Sequence, residues 1–206
     1  ILENLRFPSF LLPAIIWINP ARINKFASVD IKPNLGCNVF HDGSWDLNIK
    51  TYQEMRLNPK YISCRQLVLE DVPVQESAEF HWINEKIKEK GSYLNRFDRD
   101  GAMQEMLQRQ SFYNTIKKDG IKSQEELGFS RYIGGMQLAV DREGELVKIN
   151  AGNHRYAISR LLLLPLIPVQ LVCLHKSLIC KFSSGHAKER VDKVRAFIKA
   201  LESNNR

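Results

Sequence analysis

Gly152-Asn153-His154-Arg155 places an imidazole and a guanidinium side by side, directly after a glycine and an asparagine. Both cationic side-chain types donate to anionic oxygen, the guanidinium in a fork that matches phosphate. The residues around them, Met136–Leu171 (MQLAVDREGELVKINAGNHRYAISRLLLLPLIPVQL), read as strand, tight turn, strand, glycine, helix, strand. That order sets the four residues where a strand turns into a helix. A helix start exposes unpaired N–H groups and the positive end of the helix dipole, a combination that suits phosphate. Gly152 allows close backbone approach, and the N–H groups of Asn153–Arg155 would hold the anion. A nucleotide or phosphate site is expected here, with Lys122 and Gln124 from a preceding polar loop as further binding candidates.

The elements that must position this stretch follow from pattern. Ala14–Ile18 is a short apolar strand before Asn19-Pro20, and Ile23–Ile31 carries another. Asn34–Asp46 (NLGCNVFHDGSWD) is a loop, with Phe40 and Trp45 expected to plug it onto the core. Asn58-Pro59 caps a helix that carries Tyr61, Cys64 and Val68 on one face towards Asp71, with Pro73 as its stop. A second helix spans Ser77–Lys90, with Phe80, Ile83 and Ile87 in a stripe and Gly91 as its stop. The third, Asp100–Lys118, is read with Met103, Leu107, Gln110 and Tyr113 or Asn114 at helical spacing, then Ile116 or Lys117, and Gly120 as its close. Met136, Leu138 and Val140 alternate as a half-buried strand, and the turn Asp141–Gly144 returns the chain into Leu146–Ile149. Arg155–Leu164 is a helix with Ala157, Ile158, Leu161 and Leu162 facing inward and Pro165 ending it. Ile167–Leu174 is apolar enough to be central in a sheet. Gly185–Ser203 is an amphipathic helix with Ala187, Val191, Val194, Ile198 and Leu201 as its apolar stripe.

A chain of 206 residues, 44% hydrophobic and 26% charged, has the composition of a globular protein with a sizeable core. Its net charge of +7 favours anionic partners such as nucleotides or DNA. Phe7–Ile18 is apolar, but it is too short to span a bilayer and Pro8, Pro13 and Pro20 interrupt it, so no membrane segment is expected. Cys37, Cys64, Cys173 and Cys180 form no CxxC pair, which points to free thiols and a cytoplasmic location. Cys173, His175, Cys180 and His186 fall close together but in no common zinc spacing, and no metal site is assigned.

The run GNHRYAISRLLLLPLIPVQL, from Gly152 to Leu171, resembles the ParB/sulfiredoxin-like superfamily, as does SFYNTIKKDG from Ser111 to Gly120. The likeness covers Ser111–His175. It implies an α/β (α+β) fold: a small mixed β-sheet with flanking helices (111–175), a helical N-terminal elaboration (1–110) and a C-terminal helix (185–203), all in a single domain. The N-terminal half, with HDGSWD, is similar to an uncharacterised ParB-like group. Asn153 stands where sulfiredoxins hold their cysteine, which excludes that reaction. Partition-type relatives bind CTP and continue into a DNA-reading domain, whereas the residues after His175 suffice for one helix. Kinases of the superfamily hold an adenine nucleotide in the same pocket, and some relatives are described as nucleases.

The resemblance therefore implies an ATP- or CTP-binding protein with Mg²⁺, most simply an ATP-dependent phosphotransferase acting on a small molecule. Arg155 would neutralise charge on the transferring phosphoryl group and His154 would donate to its oxygens. A carboxylate for Mg²⁺ or for the acceptor hydroxyl is sought in Asp42 and Asp46, with Glu70, Asp71 and Glu76 left open beside them. The alternatives are a DNA-binding protein or nuclease, with Lys188, Arg190, Lys193, Arg195 and Lys199 meeting phosphates, and a non-catalytic nucleotide-sensing module.

Overall fold

The computed structural model describes residues 12, 14–28, 39–129, 135–149 and 151–206. Residues 7–11 of the apolar lead, and Cys37 with residues 34–38 of the expected loop, lie outside them. The described chain is mixed α/β. Its contacts divide it into two compact units, residues 1–52, 122–152 and 165–206 in one and residues 53–121 and 153–164 in the other.

The first unit is a seven-stranded mixed sheet. Its strands are β1 (Ala14–Ile18), β2 (Lys25–Ala27), β3 (Phe40–His41), β4 (Ile49–Thr51), β5 (Gln137–Val140), β6 (Leu146–Lys148) and β7 (Ile167–His175). The order is β1-β7-β5-β6-β2-β4, with β3 pairing on β7. β7 runs parallel to β5 and antiparallel to β1, so it is interior as expected, and all of its residues are buried. Because residues 14–51 contribute four strands, the sheet is larger than the small one expected from Ser111–His175.

β5 departs from its alternating pattern. All four residues are buried, Gln137 included, because both faces of the sheet are covered there. The Gln137 side-chain amide donates to Gln170 on β7 at 3.4 Å. Asp141 closes the hairpin by accepting the N–H groups of Glu143 and Glu145 at 3.1 and 2.8 Å, and Lys25 binds its other oxygen at 2.6 Å, tying the turn to β2. Trp45 packs with Ala27, Val147, Ile149 and Val172, so it does plug its loop onto the core. The last helix of the chain, α6 (Ala187–Asn204), lies against β1. Val194 and Leu201 are its buried residues, while Ala187 at its start is exposed.

The second unit is helical: α1 (Tyr52–Met55), whose first residue closes the first segment of the sheet unit, then α2 (Pro59–Leu69), α3 (Ala78–Lys90), α4 (Arg99–Asp119) and α5 (Asn153–Leu161). Asn58 caps α2, its side chain accepting the Lys60 N–H at 2.9 Å. Gly91 ends α3 in the left-handed conformation at φ 76°. The inward stripe of α4 is Ala102, Met106, Tyr113 and Ile116; Tyr113 and Ile116 are among the expected positions, whereas Leu107 is exposed, so the first half of the expected stripe is out of phase by one residue. α2 ends at Leu69, before Asp71 (φ 50°), and so does not run on to Pro73. α5 likewise stops short of Pro165. A residue before proline is kept out of helical conformation, and the chain has already unwound at Leu163 (φ 52°), with the Leu164 N–H reaching the Ser159 carbonyl at 3.0 Å. Ala157 and Ile158 are buried as expected, but Tyr156 and Ser159 accompany them where Leu161 and Leu162 were expected.

Candidate functional site

Gly152 is where the predicted junction is enforced sterically. Its φ is +93°, and a Cβ there would lie 2.6 Å from the Cα of Met136 and 3.0 Å from the Gly135 carbonyl oxygen. Only glycine meets both conditions. The chain leading into it is tied down by Lys148, which is buried and donates to the carbonyls of Ile149 and Ala151 at 3.2 and 2.8 Å. The next residue, Asn153, begins α5, with His154 and Arg155 in its first turn.

His154 does not stand alone. Its Nε2 lies 2.9 and 3.1 Å from the two carboxylate oxygens of Glu79 in the first turn of α3. The Glu79 side chain is 0% exposed and also pairs with the guanidinium of Arg109 on α4. Arg109 makes a second ion pair, to Glu105 at 3.1 Å, and its Nη1 is 3.3 Å from His154 Nε2. The N–H of Glu79 donates to Ser63 on α2 at 2.5 Å. Tyr113 stacks at a tilt on the imidazole, ring centroids 6.0 Å apart. Burial works against the charged form of Glu79. The hydrogen bond from His154 and the charge of Arg109 outweigh it and hold the carboxyl below its ordinary range, with the charge of the imidazole adding to them whenever that ring is protonated. Arg109 is likewise burdened by burial but held charged by Glu79. Arg155 sits over the Phe112 ring at 5.7 Å, and burial lowers its pKa from the usual arginine value.

Cys64 on α2 is pushed up to about 12 by burial, and Tyr113 is raised chiefly by burial as well. A thiol so raised is protonated at neutral pH and is no nucleophile. The same holds for Cys173, also at about 12.

Asp42 and Asp46 belong to the sheet unit and face protein cations. Asp46 is buried and accepts from Arg142 three times, through its backbone N–H (3.0 Å), Nε (2.9 Å) and Nη2 (2.6 Å). Arg142 holds the Asp46 carboxyl down at about 2. Asp42 is exposed and pairs with Lys176 at 2.7 Å, and that bond is the main reason its pKa is lowered. Beside them His175 engages both ring nitrogens. Nε2 donates to the Gly43 carbonyl at 3.0 Å, and Nδ1 accepts the Ser177 N–H at 3.1 Å.

The candidate residues are thus divided. Asp42, Asp46, Lys122, Gln124 and Gly152 lie in the sheet unit, and Asn153, His154 and Arg155 lie in the helical unit. In the polar turn after α4, Lys122 is exposed and Gln124 is buried. Glu79, Arg109 and Glu105 were not anticipated from the sequence, although a signal for the first two exists. Glu79 is in phase with Ile83 and Ile87, and Arg109 is in phase with Ala102, Met106, Tyr113 and Ile116. A charged residue within a buried stripe needs a buried partner.

As for a cofactor, the first turn of α5 has the donor chemistry for phosphate. Of the carboxylates sought for Mg²⁺, Asp46 and Asp42 are already held by Arg142 and Lys176 and do not fit that role, and Glu70 is paired with Arg65 at 2.9 Å. Among the described residues, no group of three or more His, Cys, Asp or Glu side chains is gathered as a metal site. No helix among them is long and apolar enough to cross a membrane. Comparison of the chain with protein-family models, with curated proteins and with solved structures finds no match.

Proposed function

We propose that the chain is a nucleotide-binding protein of ParB/sulfiredoxin-like type and acts as an ATP-dependent phosphotransferase on a small molecule. One observation carries the reading: a glycine that no other residue can replace leads directly into a helix whose first turn holds His154 and Arg155. The turn's N–H groups and helix dipole receive the phosphates. Arg155 neutralises charge on the transferring group. Any Mg²⁺ would have to come with the nucleotide, because Asp46 and Asp42 are engaged with Arg142 and Lys176.

Calorimetry with ATP, ADP and CTP, with and without Mg²⁺, tests the reading, and no binding by folded protein would overturn it. Arg155→Ala removes a charge-assisted contact worth about 1.5–3 kcal/mol. It is expected to weaken ATP by roughly 10–100-fold, with the circular dichroism spectrum unchanged. Binding without phosphoryl transfer to any of a broad acceptor panel would favour the nucleotide-sensing alternative.

A second reading, DNA binding with or without cleavage, is favoured by the exposed Lys188, Lys193, Arg195 and Lys199 of α6. Salt-sensitive gel shifts and plasmid nicking in protein with no nucleotide affinity would reverse the ranking.

A further inference from the structure

Glu79 and Arg109 determine which nitrogen of His154 can meet a ligand. Glu79 is fully buried and ionised, and it is pinned by Arg109. An ionised carboxylate only accepts hydrogen bonds. His154 Nε2, 2.9 Å from one Glu79 oxygen and 3.1 Å from the other, must therefore carry the proton between them. Arg109 Nη1 lies 3.3 Å from the same nitrogen but is itself a donor and cannot take that proton. Both groups instead converge on Glu79. Among the described residues of this cluster, Glu105 is engaged with Arg109, and Tyr113, against the ring, and Cys64, beside Tyr113, are both held protonated by burial. Nδ1 receives no hydrogen bond among the described residues, and the His154 side chain keeps 22% of its surface exposed.

We infer that His154 acts through Nδ1 as the general base of this site, with Glu79 and Arg109 as its positioning residues. The inference rests on the phosphotransferase reading. In the neutral ring Nδ1 carries a lone pair and cannot donate to phosphate, so it faces a group that brings a proton. In the transfer the acceptor's O–H bond breaks and its proton passes to Nδ1. The acceptor oxygen bonds to the γ-phosphorus, and the bond from that phosphorus to the bridging oxygen breaks to release ADP. His154 then returns the proton to solvent. Throughout, Glu79 holds the Nε2 proton and stabilises the imidazolium that forms.

Nitrogen NMR of the full chain labelled with ¹⁵N-histidine reads the tautomer without reference to activity. The neutral His154 ring is expected as the single Nε2-protonated form, and an Nδ1-protonated ring would overturn the inference. In Glu79→Gln, whose amide can either donate or accept, a mixture of tautomers is expected. ADP release from Mg·ATP should then fall by about 10²-fold, at unchanged KM for ATP. An Nε2-only ring with wild-type turnover in Glu79→Gln would remove Glu79 from the positioning role. The wild-type spectrum needs no variant, so the inference stays testable if Glu79→Gln does not fold. Failure of the wild type to bind ATP in calorimetry would overturn the nucleotide reading and the base role together. A wrong tautomer in protein that does bind ATP would overturn the base role alone.

Discussion

Glu79, Arg109 and His154 in the helical unit and Asp46, Arg142 and His175 in the sheet unit present the same three chemistries twice. The two clusters differ in what they leave over. His175 Nε2 is 3.8 Å from Asp46, and both its nitrogens are engaged on the backbone of Gly43 and Ser177, so it latches a loop. His154 meets its carboxylate directly through Nε2, and among the described residues Nδ1 receives no hydrogen bond. Arg142 keeps a third of its side-chain surface in solvent and holds a turn, whereas Arg109 is almost enclosed and holds a carboxylate with no water to fall back on. Equal composition therefore does not make equal sites. Burial and the count of engaged ring nitrogens separate a clamp from a cluster that keeps one ring nitrogen over.

The comparison breaks most visibly by removing the carboxylate of the enclosed cluster. Glu79→Ala strands the Arg109 charge inside the helical unit and is expected to cost about 3–5 kcal/mol in denaturant unfolding. A loss below about 1 kcal/mol would mean that water reaches Arg109 and the cluster is open.

Acid is the next lever. The folded-state pKa of Asp46 is depressed to about 2, so its contribution is fully present above the ordinary aspartate value and is lost as pH falls from about 4 towards 2. That contribution is about 2 kcal/mol, and Asp46→Asn should flatten the stability profile over this window. Glu79 has the same sign, its contribution being lost as pH falls below the ordinary glutamate range, so Glu79→Gln should flatten a neighbouring part of the profile.

The smallest effect separates the histidines. His175→Gln should lose about 1–2 kcal/mol of stability with ATP affinity unchanged. His154→Gln can still donate to Glu79 and should lose less than about 1 kcal/mol, its damage appearing in turnover. The reverse ranking would exchange the roles of the two clusters.

Much of the scaffold was legible because its signals are local. Asn58-Pro59, Gly91, Gly120, the Asp141–Gly144 turn and the continuous apolar run of β7 each act within a few residues, and each forms as expected. The phase of the first half of α4 was not legible, because Met103, Met106 and Leu107 surround the helix there and tertiary packing chose among them, whereas Tyr113 and Ile116 further along were among the expected positions. Of the candidate site, the glycine-to-helix junction was readable from pattern. The Glu79–His154 pair was not, since its members are 75 residues apart and nothing in the spacing of either announces the other. Its only trace is a charge within each of two buried stripes, and one of those stripes, on α4, was read out of phase from Met103 to Gln110, the stretch that holds Arg109.

The most direct test follows the ring nitrogens of His154 and His175 by ¹⁵N NMR while Mg·ATP is titrated into the full chain. His154 resonances are expected to move and saturate with the nucleotide while those of His175 stay fixed. Saturable ATP binding that leaves His154 unmoved, or that moves His175 instead, would contradict a nucleotide site at the first turn of α5.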